Sequence, residues 1–152
     1  MVYTVGEMAK ELGVPASTLR YYDQEGLLPF VERSGGGIRI FGEKDYEALL
    51  VIECLKKSGL SIKEIKSFMG MVREGDASLA QRLELFKGRR EAAQKQLEEL
   101  ERTMALLDYK CWYYETALAA GTERAVQEMG EEDIPARHKR ARAMLAHAEQ
   151  GT

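Results

Sequence analysis

The stretch Ser17-Thr18-Leu19-Arg20-Tyr21-Tyr22-Asp23-Gln24-Glu25-Gly26-Leu27-Leu28-Pro29 decides how this 152-residue chain is organised. It reads as a short helix closed by Gly26, with Leu19 turned inward and Ser17, Thr18, Arg20 and Tyr21 left on an open surface. Toward the N-terminus, Thr4-Val5-Gly6-Glu7 has the form of a capping box, in which the Thr hydroxyl accepts from a free backbone N–H and Glu7 reaches back to the cap residue. Val5, Met8, Ala9 and Leu12 follow at helical spacing, and Gly13 stops that helix. Pro15 suits the opening of the next one, where its missing N–H falls among donors that are unpaired anyway. Helix, Gly-containing turn and second helix together form the helix-turn-helix signature.

On the C-terminal side, Val31-Glu32-Arg33-Ser34-Gly35-Gly36-Gly37-Ile38-Arg39-Ile40-Phe41 places a triple glycine between two β-compatible runs, which predicts a hairpin with a loose tip. Ile38 and Ile40 alternate with Arg39, so the apolar pair is expected on one face and Arg39 on the other. A third helix is expected from Glu43 to Ser58, with Glu43 and Asp45 where the helix dipole favours acids. Gly59 ends it. Ser61-Ile62-Lys63-Glu64 is a second capping box, and Ile65, Phe68, Met69 and Val72 give a fourth helix an apolar face ending near Gly75.

An αα-hairpin packed on a core is the plain reading of the first two helices. Arg20-Tyr21-Tyr22 argues for more, because a guanidinium and phenolic hydroxyls on an exposed helix suit phosphate oxygens. Composition alone would not suggest DNA: the net charge is −3, and residues 1–70 hold nine Lys and Arg against ten Asp and Glu. Any such surface must be local, built from Arg20, Arg33, Arg39, Lys56, Lys57, Lys63 and Lys66. The run Leu19-Arg20-Tyr21-Tyr22 followed by Gly26-Leu27-Leu28-Pro29, together with Gly59-Leu60-Ser61-Ile62-Lys63-Glu64-Ile65, resembles the MerR family of bacterial transcription regulators over residues 3 to about 70. The family's wing usually reads Gly-Tyr-Arg; here Ile38 replaces the tyrosine, which leaves Arg39 as the stronger contact. The resemblance implies a sequence-specific regulator of promoter DNA that works with RNA polymerase by distorting the promoter. Thr4, Ser17, Thr18, Arg20, Tyr21, Arg33 and Arg39 form the expected DNA-contacting set.

From Leu79 the pattern changes. Leu79, Leu83, Phe86, Arg90, Ala93, Leu97, Leu100, Met104 and Leu107 alternate in steps of four and three, a heptad seam sustained over four heptads. No other part of so short a chain is large enough to cover it, so a second copy is the expected partner. Arg90 breaks the apolar run as a register device. The resemblance implies antiparallel pairing; centred on Ala93, it sets position 111 opposite position 75 of the second copy. The expected fold is all-α with a small β wing: a winged helix-turn-helix head with hinge helices over residues 1–75, a long antiparallel dimerisation coiled coil over 76–121, and a partly helical extension over 122–152, with a last helix from Ala136 to about Ala148.

Two places are candidates for receiving a signal. Cys54, in Ile52-Glu53-Cys54-Leu55-Lys56-Lys57, resembles the thiol of the MerR branch that answers aldehydes and nitrosative stress, and Lys57 lies one turn on to favour a thiolate. A small buried hydrophobe is the other reading of Cys54. At the coil end, Cys111 with Trp112, Tyr113 and Tyr114 either lines a small-molecule pocket or forms the packed end of the coil. Two cysteines, Cys54 and Cys111, so far apart form no disulfide framework and no zinc motif. His138 and His147 are too distant to complete a metal loop. No metal, cofactor or enzyme activity is expected. The longest apolar run, Ala48–Ile52, is too short to span a bilayer, and the start of the chain has no signal-like pattern, so a cytoplasmic location is expected. The rival functions are an excisionase-like DNA-architectural factor, which should lack the long helix, and a coiled-coil interaction adaptor, which would leave Arg20, Tyr21 and Arg39 without purpose.

Overall fold

The computed structural model describes residues 2–28 and 31–150, with the side chains of 147–150 left out, so Pro29 of the deciding stretch and the side chain of His147 lie outside the described residues. The elements run β1 (Tyr3–Thr4), α1 (Val5–Leu12), α2 (Ala16–Gln24), β2 (Glu32–Arg33), β3 (Arg39–Phe41), α3 (Glu43–Lys57), α4 (Ile62–Glu74), a 3-10 turn (Gly75–Ser78), α5 (Leu79–Ala120), α6 (Arg124–Gln127) and α7 (Ala136–Gln150). The chain divides into two compact units, Met1–Ala92 and Ala93–Thr152, the division falling within α5. No helix among the described residues is long and apolar enough to cross a membrane.

Both capping boxes form. The Thr4 N–H donates to the Glu7 carboxylate at 2.7 Å while the Glu7 N–H donates to the Thr4 hydroxyl at 3.3 Å. Ser61 and Glu64 repeat this at 2.7 and 3.2 Å. Pro15 sits one position earlier than expected: at φ −61° and ψ 142° it is the extended cap residue of α2. After α2 the chain turns through Gly26, at φ 76°, which lets the Leu27 N–H reach back to the Tyr22 carbonyl at 2.9 Å; a side chain at that φ would be strained.

The wing is wider than the sequence reading. β3 is the central strand of three, paired antiparallel with β2 (Arg33 opposite Arg39) and, unexpectedly, with β1 (Tyr3 opposite Phe41). Ile38 and Ile40, expected on one apolar face, do not share one. Ile38 is 61% exposed, because it belongs to the tip turn, where its carbonyl accepts from the Ser34 N–H at 2.8 Å, and β3 begins only at Arg39. Phe41, fully buried, is the residue that anchors the wing.

The core of the first unit is formed by Met8, Leu19, Tyr22, Leu27, Phe41, Leu49, Ile52, Leu55 and Ile65 with their partly buried neighbours. Burying each such large side chain contributes about 1.5–3 kcal/mol before ordering costs. Leu85 of α5 packs against this core, and Phe86 meets Phe68 edge-on at 5.5 Å. At the junction before α5, the Ser78 hydroxyl donates to the Met71 and Gly75 carbonyls, and Arg82 donates to the Ser78 hydroxyl at 3.0 Å and the Gly75 carbonyl at 2.9 Å. The second unit has its own small core of Tyr109, Tyr113, Ala117, Val126 and Ala141, with Trp112, Leu106, Met129 and Leu145 against it.

The capping bonds hold the Glu7 and Glu64 carboxyls below their ordinary value of 4.5, the backbone hydrogen bond being the largest cause in each. A carboxyl whose folded value is depressed stabilises the fold above its unfolded value, and that stabilisation is lost as pH falls through the folded one. Glu7→Gln and Glu64→Gln are therefore expected to lower the melting temperature at neutral pH. Calorimetry across pH should show the gap from wild type narrowing as pH drops below 4.5.

Candidate nucleic-acid interface

α2 separates its two faces cleanly. Leu19 and Tyr22, three positions apart, are buried, whereas Ser17, Arg20 and Tyr21 are exposed and Thr18 is half-buried. Tyr22 therefore departs from the expectation of two phenols offered to phosphate, because its ring fills the core. Its hydroxyl donates to the Glu53 carboxylate at 2.5 Å and accepts at 3.1 Å from the ammonium of Lys56, a residue that is itself exposed. Burial first, then the hydrogen bond and charge of Glu53, push the Tyr22 phenol far above its ordinary value and keep it a donor.

The wing arginines converge on α2. Asp23 Oδ2 accepts from Arg39 Nε at 2.6 Å and from an Arg33 terminal nitrogen at 3.2 Å. Arg33 and Arg39 also face each other across the β2–β3 ladder, so two guanidiniums and one carboxylate leave one net positive charge beside α2. The Thr4 hydroxyl is taken up by the Glu7 cap. Lys57, Lys63 and Lys66 are exposed. Asp23 was missed as a site residue because its partners lie 10 and 16 positions away, beyond any helical spacing. The available signal was an acid one helical turn after Arg20.

Among the signal candidates, Cys54 is exposed on α3, which overturns its reading as a small buried hydrophobe: Ile52 and Leu55 supply the inward face and Cys54 falls between them. In the second unit the three adjacent aromatics part company. Cys111 and Trp112 line an open cleft of about 410 Å³ with Asp108, Glu115, Arg137 and His138, while Tyr113 and Tyr114 lie outside that lining. Trp112 stacks on the buried His138 ring at 5.4 Å, and Arg137 Nε donates to His138 Nε2 at 3.0 Å. The Tyr113 hydroxyl donates to Glu123 at 2.9 Å, and that bond, ahead of burial, raises the phenol's pKa. Tyr114 is exposed, and the Lys110 ammonium stands over both the Tyr113 and Tyr114 rings. Among the described residues no group of three or more His, Cys, Asp or Glu is placed to hold a metal ion.

Residues 3–71 match the model of the MerR HTH family regulatory proteins, and residues 46–109 match that of the MerR DNA-binding region. The chain is 42% identical over 126 residues to an HTH-type transcriptional regulator of Haemophilus influenzae, covering 83% of this chain and 93% of the relative. Among solved structures it is similar to HiNmlR, a MerR family regulator lacking the sensor domain and bound to promoter DNA, with TM-score 0.73, 42% identity, and 82% of this chain and 99% of that chain covered. A MerR family regulator from Bacillus thuringiensis matches with TM-score 0.67 and 36% identity, over 73% of this chain and 97% of its own. With its helix-turn-helix, its wing and its long helix all in place, the chain belongs to the MerR family of DNA-binding transcriptional regulators.

Proposed function

We propose that the chain binds double-stranded promoter DNA as a homodimer, each copy laying α2 in a major groove and setting its wing against the flanking phosphates. The observation that carries this reading is the division of α2: Leu19 and Tyr22 are buried while Ser17, Arg20 and Tyr21 stand exposed, and Asp23 of the same helix holds Arg33 and Arg39. The promoter-bound state of the similar HiNmlR supports it. Ser17 and Thr18 read base edges; Arg20, Tyr21 and the wing arginines position the backbone. Regulation then follows the family pattern of promoter distortion with RNA polymerase.

Pairing through α5 is supported by the state of its seam. Leu79, Leu83, Leu97, Leu100, Met104 and Leu107 are each about half exposed or more, and Arg90 and Ala93 are exposed with them. Water contact along so regular a stripe is costly, and a second copy removes it. A small electrophile as the signal is supported by the exposure of Cys54, which follows Glu53, the carboxylate bound to Tyr22.

Arg20→Ala is expected to weaken binding to an operator duplex and to a random duplex alike, and to reduce the slope of log K against log salt by about one. Substitution of Ser17 or Thr18 should change preference among duplexes instead. Binding that is indifferent to salt would exclude the assignment, and absence of binding to any duplex would favour an interaction adaptor. Leu97→Asp puts a carboxylate into the seam at a cost of several kcal/mol unless the copies part. Sedimentation should then show monomers, and a persistent dimer would place the interface elsewhere. Cys54→Ser should keep DNA affinity and lose the transcriptional response to formaldehyde, while Cys111→Ser keeps that response; an unchanged response in Cys54→Ser would exclude the thiol.

A further inference from the structure

A carboxylate on a surface that must approach phosphates works against binding, yet Asp23 stands on α2 next to the residues assigned to DNA. It is largely covered, with 17% of its side chain exposed, as is Arg39 with 21%, whereas Arg33 is 57% exposed. Arg33 and Arg39 are direct partners across the β2–β3 ladder. Like charges so placed repel. Asp23 Oδ2, bonded to both, removes that repulsion.

The geometry of the bonds matters as much as the charge. Asp23 takes Arg39 by its Nε at 2.6 Å. A guanidinium is planar with its donors in a fixed fork, so holding one edge sets the direction of the other. The terminal nitrogens of Arg39 are thereby oriented from α2 itself, and the wing moves with the helix that reads the bases. We propose that Asp23 is a positioning residue for DNA discrimination: one carboxylate fixes both wing arginines to α2, giving up non-specific attraction in return for a set distance between phosphate contacts and base contacts. The inference rests on the DNA-binding reading above and names a residue which that reading does not use.

The consequence is a change of opposite sign on two kinds of DNA. Removing the carboxylate charge adds one net positive charge to the interface and releases two guanidiniums, so affinity for arbitrary duplex should rise and its salt slope steepen by about one. Discrimination should fall, because released arginines grip phosphate in any register. A merely structural role would weaken binding to both duplexes together.

The test uses the full chain and two probes: the duplex that wild type enriches from a randomised library, and a scrambled duplex of the same composition. Asp23→Asn is expected to bind the scrambled duplex more tightly than wild type and to lower the enriched-to-scrambled ratio by about tenfold, the scale of one lost base contact. Asp23→Glu, which keeps the charge and the acceptor, should restore most of the ratio. In an Arg33→Gln, Arg39→Gln background, adding Asp23→Asn should leave the ratio unchanged, since the groups it positions are gone. That comparison decides the matter even where the single Asp23→Asn chain melts early. An unchanged ratio in Asp23→Asn, equal weakening on both probes, or a persistent effect in the double background would overturn the proposal. If wild type enriches no duplex at all, the DNA-binding reading falls and this inference falls with it.

Discussion

The orientation of α2 depends on one side chain. Tyr22 is fully buried, so its ring is fixed by the packing of the head, while its hydroxyl reaches α3 to donate to Glu53 and accept from Lys56. A buried phenol must find partners or lose stability, and a bond to an ionised acceptor is among the stronger ones available. The pairing is specific in direction as well as energy. With the Glu53 carboxylate beside it, the phenol stays a donor, and the Lys56 ammonium, which also lies 5.5 Å from the ring centre, supplies the hydrogen bond it accepts. Helix α2 can neither roll nor slide without breaking this set, and so Ser17, Arg20 and Tyr21 face outward in a fixed arrangement.

That arrangement explains how a chain of net charge −3 can be built for a polyanion. Affinity for DNA depends on where cations stand when the surfaces meet, and the total charge has little say beyond a Debye length of about 10 Å. Lys56 donates to the Tyr22 hydroxyl, and Arg33 with Arg39 are shared with Asp23. Arg20, Lys57, Lys63 and Lys66 stand exposed on the same head, so a few local cations, rather than the chain's total charge, are what the surface offers. Tyr21 fits the same economy, since a phenol on the open face can hydrogen-bond a phosphate without adding charge.

Most of the fold could be read from the sequence because its signals are local. Thr4 with Glu7 and Ser61 with Glu64 announce helix starts three residues ahead, Gly13, Gly26 and Gly59 mark the ends, and all three glycines have positive φ. Leu19 at its place in α2 and the heptads of α5 are periodic and need only the pitch of a helix. What escaped is long-range. The strand Tyr3–Thr4 exists only because β3 offers it an edge, the exposure of Ile38 follows from where the tip turn closes, and Asp23 meets arginines far along the chain. Tyr22 and Tyr21 are adjacent and chemically alike; a rotation of about 100° per residue puts one in the core and the other in water. The cleft beside Trp112 needs α7 to bring His138 to it, and no spacing within α5 foretells that.

The start of the long helix has a covered side and an open one. On one side Leu85 enters the core of the head and Arg89 reaches the Ser58 carbonyl at 3.4 Å, so the start of α5 is rooted in the first unit. On the other, Leu79 and Leu83 of the seam lie open, and Phe86, which packs edge-on against Phe68, is still 37% exposed. A residue at that position has one face committed to its own head and one face in water. Any shift of α5 against α4 would therefore be felt at Phe68, in the core that also holds α3. Ser78 and Arg82 cross-link the same junction through the Met71 and Gly75 carbonyls. These bonds join the start of α5 to α4, whose Ile65, Phe68 and Met69 share the core that also holds Tyr22.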